Sequence, residues 1–234
     1  MFAGSTVAAV LLMGGEGRRF GQTMPKQFVP LLGRPIYQYA LQTLRETGFF
    51  DQILLVCHPD WIGNLQEEGV QVVAGGTTRQ ESSFRGICAL RPVPDIVLLH
   101  DAVRPFVTHE IIEKNLKGAI AHGAANTCIA STDTLVFAPG KKRVQSIPRR
   151  EDFLRGQTPQ TFRTEQLMAS HRIANERGVC GATDDCALVV AAGFPVEIVE
   201  GSVENIKITV DWDLHLAELW LRQKGEKLCK SNCC

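Results

Sequence analysis

The chain has 234 residues, 44% of them hydrophobic and 21% charged, and its 25 Lys and Arg offset 25 Asp and Glu. Such length and apolar content describe one generous globular domain rather than a disordered chain. A balanced charge excludes a surface built to coat nucleic acid or an anionic membrane.

The first apolar run, Val7–Met13, is far shorter than the roughly 18–20 residues of a membrane span. No basic stretch precedes it and no cleavage region follows, so it reads as a core strand of a cytoplasmic protein. Further strands are expected at Gln52–Cys57, Gln71–Ala74, Asp95–Leu99, Asn126–Ser131, Val196–Val199 and Asn205–Val210. Between them, amphipathic periodicity predicts helices over Ile36–Glu46, Gln80–Leu90, His109–His122, Thr164–Glu176 and Asp184–Ala192, with another over Trp212–Gln223. Continuous Val/Ile/Leu strands joined by helical crossovers imply an α/β fold, a mainly parallel sheet covered on both faces. Ligands of such sheets lie beyond the carboxyl ends of the strands. One stretch breaks the rhythm: Thr134–Ala138 and Arg143–Ile147 flank Pro139-Gly140-Lys141-Lys142, a hairpin signal. It is either a surface flap or an arm that grips a second subunit. Cys57, Cys88, Cys128, Cys180 and Cys186 stand mostly in apolar surroundings, where a reduced thiol acts as a small hydrophobe. Cys229, Cys233 and Cys234 crowd a polar tail at a spacing that matches no common zinc pattern.

The strongest local motif follows the first strand: Gly14-Gly15-Glu16-Gly17-Arg18-Arg19-Phe20, then Pro25-Lys26. Glycines let the backbone approach a ligand and aim N–H groups at phosphate oxygens. A dinucleotide fingerprint needs glycine where Phe20 stands, and no Lys-Ser or Lys-Thr completes a Walker loop. The remaining pattern suits a nucleoside triphosphate, with Arg19 and Lys26 as its cations. A second loop, Gly75-Gly76-Thr77-Thr78-Arg79-Gln80-Glu81-Ser82, leads into a helix, where it faces a base or ribose or is a simple capped turn. Asp101, at the end of an apolar run and near Arg104, is placed to hold Mg²⁺ or to pair with that arginine. Lys207, within an apolar stretch, needs a charged partner or a ligand. Thr183-Asp184-Asp185 is also a good helix start.

Together, from about Val7 to Leu221, these pieces resemble the 2-C-methyl-D-erythritol 4-phosphate cytidylyltransferases. The resemblance rests on the ordered set: the glycine loop with Arg19 and Pro25-Lys26, Gly75-Gly76 with Arg79 and Ser82, and Asp101-Ala102-Val103-Arg104-Pro105. Asp133-Thr134, Arg149, Thr158-Pro159-Gln160, Thr183-Asp184 and Asn205-Ile206-Lys207-Ile208-Thr209 complete it. It implies a Rossmann-like nucleotidyltransferase fold over residues 1–224, with a projecting β-hairpin arm at about 132–150 and a Cys-containing tail at 225–234. It leaves no room for a fused second enzyme. Gly14, Gly15, Gly76, Arg79, Ser82 and Asp101 would bind CTP. Arg19, Lys26 and Lys207 would be catalytic, stabilising the triphosphate and its transition state. Asp101 would stand near Mg²⁺. Arg104, Thr134, Arg149 and Thr183 would receive the phosphorylated polyol, with Thr134 and Arg149 acting across a homodimer. Nucleic acid and membrane are not among the expected partners.

The chain departs from the family's common pattern at Met13 and Gly14, where two alanines are usual, at Val103 (often Ala) and at Asp185 (commonly Glu). Residues 100–106 and 157–160 also look like ribitol-5-phosphate cytidylyltransferases, a sister group and the alternative within enzymes. A non-catalytic nucleotide sensor is the alternative of another class. The intact cations at Arg19, Lys26, Arg149 and Lys207 favour catalysis. A phosphate-monoester nucleophile, with a second pKa of ~6, is already ionised near neutrality, which explains a cationic residue set without a catalytic triad.

Overall fold

The computed structural model describes residues 1–14, 24–65 and 67–231. In chain order it contains β1 (Val7–Met13), the two-residue pair β2 (Pro30–Leu31) and β3 (Arg34–Pro35), α1 (Ile36–Thr47), β4 (Gln52–Cys57), β5 (Gln71–Ala74), α2 (Arg79–Ala89) and β6 (Ile96–Asp101). There follow α3 (His109–His122), β7 (Ala124–Ala130), β8 (Leu154–Arg163), α4 (Thr164–Glu176), α5 (Asp185–Ala191), β9 (Glu197–Glu200) and α6 (Asp211–Ser231). Seven strands form one sheet in the order β5-β4-β1-β6-β8-β7-β9. β1 runs parallel to both β4 and β6, β5 parallel to β4, and β9 parallel to β7. Only β8 is antiparallel to its two neighbours, β6 and β7.

The period of two in β1 explains the layers. Val7, Ala9, Leu11 and Met13 join Tyr37, Leu41 and Leu44 of α1 and Ile112 and Leu116 of α3 in one core. Ala8, Val10 and Leu12 turn the other way, to Ile87 of α2, Leu167 of α4 and Val189 of α5. A third, smaller cluster joins Leu31, Phe106 and Ile208 to Ala217 of α6.

The expected strands at Val7–Met13, Gln52–Cys57 and Gln71–Ala74 and the helices at His109–His122 and Thr164–Glu176 have their expected bounds. One strand is unexpected, and two expectations are corrected. Leu154–Arg163 is a central strand despite Pro159, which argues against one in sequence. The β7–β8 register shifts between Asn126↔Gln160 and Cys128↔Gly156, so Pro159 stands in an irregularity of the ladder. Asn205–Val210 is not a strand; within it, Ile208 N–H donates to Val103 O at 2.9 Å. The segment about 132–150 folds back as expected, but through a single antiparallel bridge, Phe137↔Ser146, rather than two regular strands. Gly140 (φ 71°) and Lys141 (φ 56°) make its tip. Almost all of this segment is exposed.

Among the described residues no helix is long and apolar enough to cross a membrane. Cys57, Cys128 and Cys186 are buried free thiols whose pKa values burial raises. Cys233 and Cys234 lie outside the described residues.

α2 approaches the sheet at Gly86, where an added Cβ would lie 2.7 Å from Val56 Cγ2 and 2.8 Å from Val10 Cγ1. Both valines are fully buried and have nowhere to move. Gly86→Val should therefore destabilise the fold towards the upper end of the ~1–3 kcal/mol that overpacking costs, outweighing the small gain in helix propensity. Urea-unfolding midpoints of the two proteins check this.

Candidate active site

The carboxyl ends of β1, β4, β5 and β6 open onto a cavity of about 870 Å³. β1 delivers Gly14, β5 leads into Gly75 and Gly76, and β6 delivers Asp101; Lys26 and Lys207 enter the same cavity from outside the sheet. The glycines are there because side chains would collide. A Cβ at Gly14 would lie 3.1 Å from Ser82 Oγ, one at Gly75 2.9 Å from it, and one at Gly76 would strike the Glu81 side chain. Ser82, buried on α2, accepts from Gly76 N–H at 3.0 Å and donates to Thr78 O at 2.9 Å. Thr78 caps α2 by accepting from Glu81 N–H at 3.0 Å, and Glu81 accepts from Thr77 N–H at 2.8 Å, which together fix the loop.

Asp101 is the electrostatic centre. Lys207 Nζ lies 2.7 Å from its Oδ2 and Arg79 Nε lies 3.5 Å from its Oδ1. Burial would raise the Asp101 pKa, but Lys207, Arg79 and Arg104 outweigh it and hold the carboxyl well below the usual range. Lys207 departs from the expectation of a buried lysine, since its side chain is 41% exposed. Ile206 and Ile208, on either side, join the apolar cluster beneath α6 and orient it.

Behind Asp101 runs a buried relay. Its N–H donates to Thr158 Oγ1 at 3.0 Å. Thr158 Oγ1 stands 3.0 Å from His100 Nδ1, and His100 Nε2 stands 3.0 Å from Arg104 O. A carbonyl only accepts, so Nε2 carries the proton and Nδ1 accepts from the threonine hydroxyl, a neutral imidazole. Burial agrees, pushing the His100 pKa from 6.5 down to about 4.

The structure thus brings Gly14, Lys26, Gly76, Arg79, Ser82, Asp101 and Lys207 together. Gly15 and Arg19 lie outside the described residues. Arg104 is buried away from the cavity lining; its guanidinium donates to Asn205 O at 2.8 Å and Gly156 O at 3.4 Å, tying the Lys207 segment to β8. Thr134 and Arg149 are exposed on the arm, and Thr183 is exposed just before α5; none of the three lines the cavity. Sequence reading misses the role of Asp185. Asp184 caps α5 by accepting from Ala187 N–H at 2.8 Å, while Asp185 turns inward, fully buried, to accept from Arg79 Nη1 at 2.6 Å. Two adjacent acids at a helix start are the available signal, since the cap position needs only one.

The IspD family model, 2-C-methyl-D-erythritol 4-phosphate cytidylyltransferase, matches residues 7–223. Among solved structures, the 4-diphosphocytidyl-2C-methyl-D-erythritol synthase of Anaerococcus prevotii matches with a TM-score of 0.81 and 28% identity, over 94% of this chain and 99% of that one. The 2-C-methyl-D-erythritol 4-phosphate cytidylyltransferase of Thermus thermophilus is 34% identical, with a TM-score of 0.77 over 91% and 98% of the two chains. That of Francisella tularensis is 25% identical, with a TM-score of 0.81 over 92% and 99%.

The neutral His100 makes stability depend on pH. Between about pH 4 and 6.5 the unfolded chain binds a proton at this histidine that the folded chain refuses. Its contribution, about 3 kcal/mol from the size of the shift, is present above pH 6.5 and lost as pH falls towards 4. Melting temperatures measured across that window should fall more steeply for the native protein than for His100→Gln.

Proposed function

The chain belongs to the 2-C-methyl-D-erythritol 4-phosphate cytidylyltransferase family, and from that premise we propose how its residues divide the work of the reaction. The enzyme joins CTP to 2-C-methyl-D-erythritol 4-phosphate, giving 4-diphosphocytidyl-2-C-methyl-D-erythritol and pyrophosphate in isoprenoid precursor biosynthesis. A phosphate oxygen of the polyol attacks the α-phosphorus of CTP. The new P–O bond forms as the bond to the β-phosphate oxygen breaks, and pyrophosphate leaves with that electron pair. The nucleophile is already an anion, so no base has to be found.

The observation that carries the residue roles is the meeting of Lys26, Lys207 and Asp101 in one glycine-walled cavity. Ser82, the serine there, gives its hydroxyl to a backbone carbonyl rather than to a base, which fits binding and not nucleophilic catalysis. Gly14, Gly15, Gly76 and Ser82 receive the nucleotide by close backbone approach. Lys26, Lys207 and Arg19 counter the charge that develops around the α-phosphorus and on the departing pyrophosphate.

Mg²⁺ suits Asp101. The carboxylate faces the cavity and stays ionised, and Mg²⁺ characteristically takes one or two carboxylates together with substrate phosphates. Among the described residues no group of three His, Cys, Asp or Glu side chains could hold a metal alone, in keeping with an ion that arrives on the triphosphate. Bound there, it would supply charge neutralisation to the phosphates.

The polyol side involves a second copy of the chain. Val136, Phe137, Val144 and Ile147 of the arm are each more than half exposed, an apolar surface that needs cover. A homodimer in which the arm packs on its neighbour carries Thr134 and Arg149 to the neighbour's site, where they meet the polyol phosphate with Thr183. Arg104 contributes by holding the Lys207 segment.

Pyrophosphate release, measured with CTP or UTP and with methylerythritol phosphate or ribitol phosphate, should be fastest for CTP with methylerythritol phosphate. Preference for ribitol phosphate would overturn the substrate. Lys26→Ala and Lys207→Ala should each lose about 10²–10³-fold in kcat. Shared sites make a further prediction. Arg149→Ala and Asp101→Asn, each inactive alone, should recover about a quarter of the native rate when their subunits are mixed and exchanged, because half the dimers then hold one intact site.

A further inference from the structure

Arg79 lines the cavity, yet its shortest contact is to an acid outside the lining. Nη1 lies 2.6 Å from Asp185 Oδ2, whereas Nε lies 3.5 Å from Asp101 Oδ1, and Nη2 is buried with no hydrogen-bond partner among the described residues. Asp185 is itself held on several sides. Its Oδ1 accepts from Ser83 Oγ at 2.7 Å, and its N–H donates to Gln160 Oε1 at 3.2 Å. Gln160 in turn donates to Asn126 Oδ1 at 3.1 Å, which fixes the orientation of its amide. His171 Nε2 stands 3.3 Å from Asp185 Oδ1, outside hydrogen-bond geometry. Arg79 and Ser83 are four residues apart on α2 and so share a face, and Asp185 opens α5 opposite them.

The result is a graded chain, Lys207–Asp101–Arg79–Asp185. At its cavity end, Lys207 is 41% exposed along its side chain; Arg79, anchored to a fully buried acid, is 21% exposed. A triphosphate entering the cavity draws the exposed cation towards itself. Asp101 then loses its nearest partner and would be left buried with no side chain to orient it, unless another cationic side chain stays in place.

We propose that Asp185, supported by Ser83, is a positioning residue that locks Arg79 beside Asp101, so that Arg79 keeps Asp101 oriented when Lys207 turns to the nucleotide. Arg79 on this account is not a phosphate ligand. The inference rests on the reading of Asp101 and Lys207 as members of the CTP site.

The test is a double-mutant cycle on the full chain, with kcat, KM for CTP and melting temperature measured for Asp185→Asn, Arg79→Gln and the pair together. Asp185→Asn should lower kcat on the order of tenfold through misplacement of the Asp101 carboxylate. KM for CTP should stay within about twofold, and adding Asp185→Asn to Arg79→Gln should cost nothing further in kcat, because the two residues act as one unit. Native kcat in Asp185→Asn, losses that multiply in the pair, or a raised KM for CTP with kcat preserved would each overturn the proposal. Should Asp185→Asn alone fail to fold, Ser83→Ala leaves every charge in place. It should lower kcat by about threefold, an effect that vanishes in the Arg79→Gln background and whose persistence there would overturn the proposal. Turnover by the native enzyme in the same assay separates the two readings: a native protein inert with CTP strikes the functional assignment, whereas an active one with a failed cycle strikes the role of Asp185 alone.

Discussion

A carboxylate removed from water must be matched by charge or it will not stay ionised, and Asp101, 8% exposed at the end of β6, is in that position. Much around the site serves this match. Lys207 reaches it from a segment that is held by Ile206 and Ile208 in an apolar cluster and by Arg104 through Asn205 O. Arg79 reaches it from the start of α2, braced by Asp185 from α5. Chain segments distant in sequence therefore meet at one acid, and the energetic cost of leaving that acid unpaired ties the second glycine loop, β6, α5 and the Lys207 segment into one arrangement. The same pairing holds Lys207 at the cavity.

The sheet makes such convergence possible. Because β1, β4, β5 and β6 are parallel, their carboxyl ends share one edge, and the turns that leave them compete for the same space. Glycine at positions 14, 75 and 76 resolves that competition by giving up side-chain volume, which leaves backbone surface lining the cavity. β8 enters the sheet in the opposite sense, so Gly156, Gln157 and Thr158 from its early part come to the edge where β6 ends. That antiparallel insertion supplies Thr158 to the backbone of Asp101 and a carbonyl to Arg104.

How far this is legible in the sequence follows from which interactions are local. β1, β4 and β5 are short apolar runs bounded by polar or glycine residues, and their limits depend on local pattern alone. The glycines and Asp101 are legible for the same reason, since each follows such a run, whereas Lys26 is legible only through its place after the glycine loop and Pro25. β8 is not, because Pro159 breaks the local pattern and only its neighbours β6 and β7 define it as a strand. The apolar stretch around Lys207 marks it as needing a partner, but its exposure depends on how Ile206 and Ile208 pack. Asp185 and its neighbour read together as a helix cap. The inward turn of Asp185 towards Arg79, 106 positions earlier, is a long-range fact that no local pattern encodes.

The chemistry explains why a histidine beside the central acid takes no catalytic part. A reaction whose nucleophile arrives ionised has no use for a base, and both nitrogens of His100 are already engaged, one by Thr158 and the other by the Arg104 carbonyl. A protonated imidazole would reverse the bond with Thr158, its Nδ1–H donating to the hydroxyl that already receives the Asp101 N–H and turning the hydroxyl proton away. Burial keeps the ring neutral and so keeps that relay intact. The balance of 25 cations against 25 anions has the same logic at the scale of the whole chain. Two polyanionic substrates require local positive charge, not a positive protein, and the acids at positions 101 and 185 hold that charge in place instead of cancelling it.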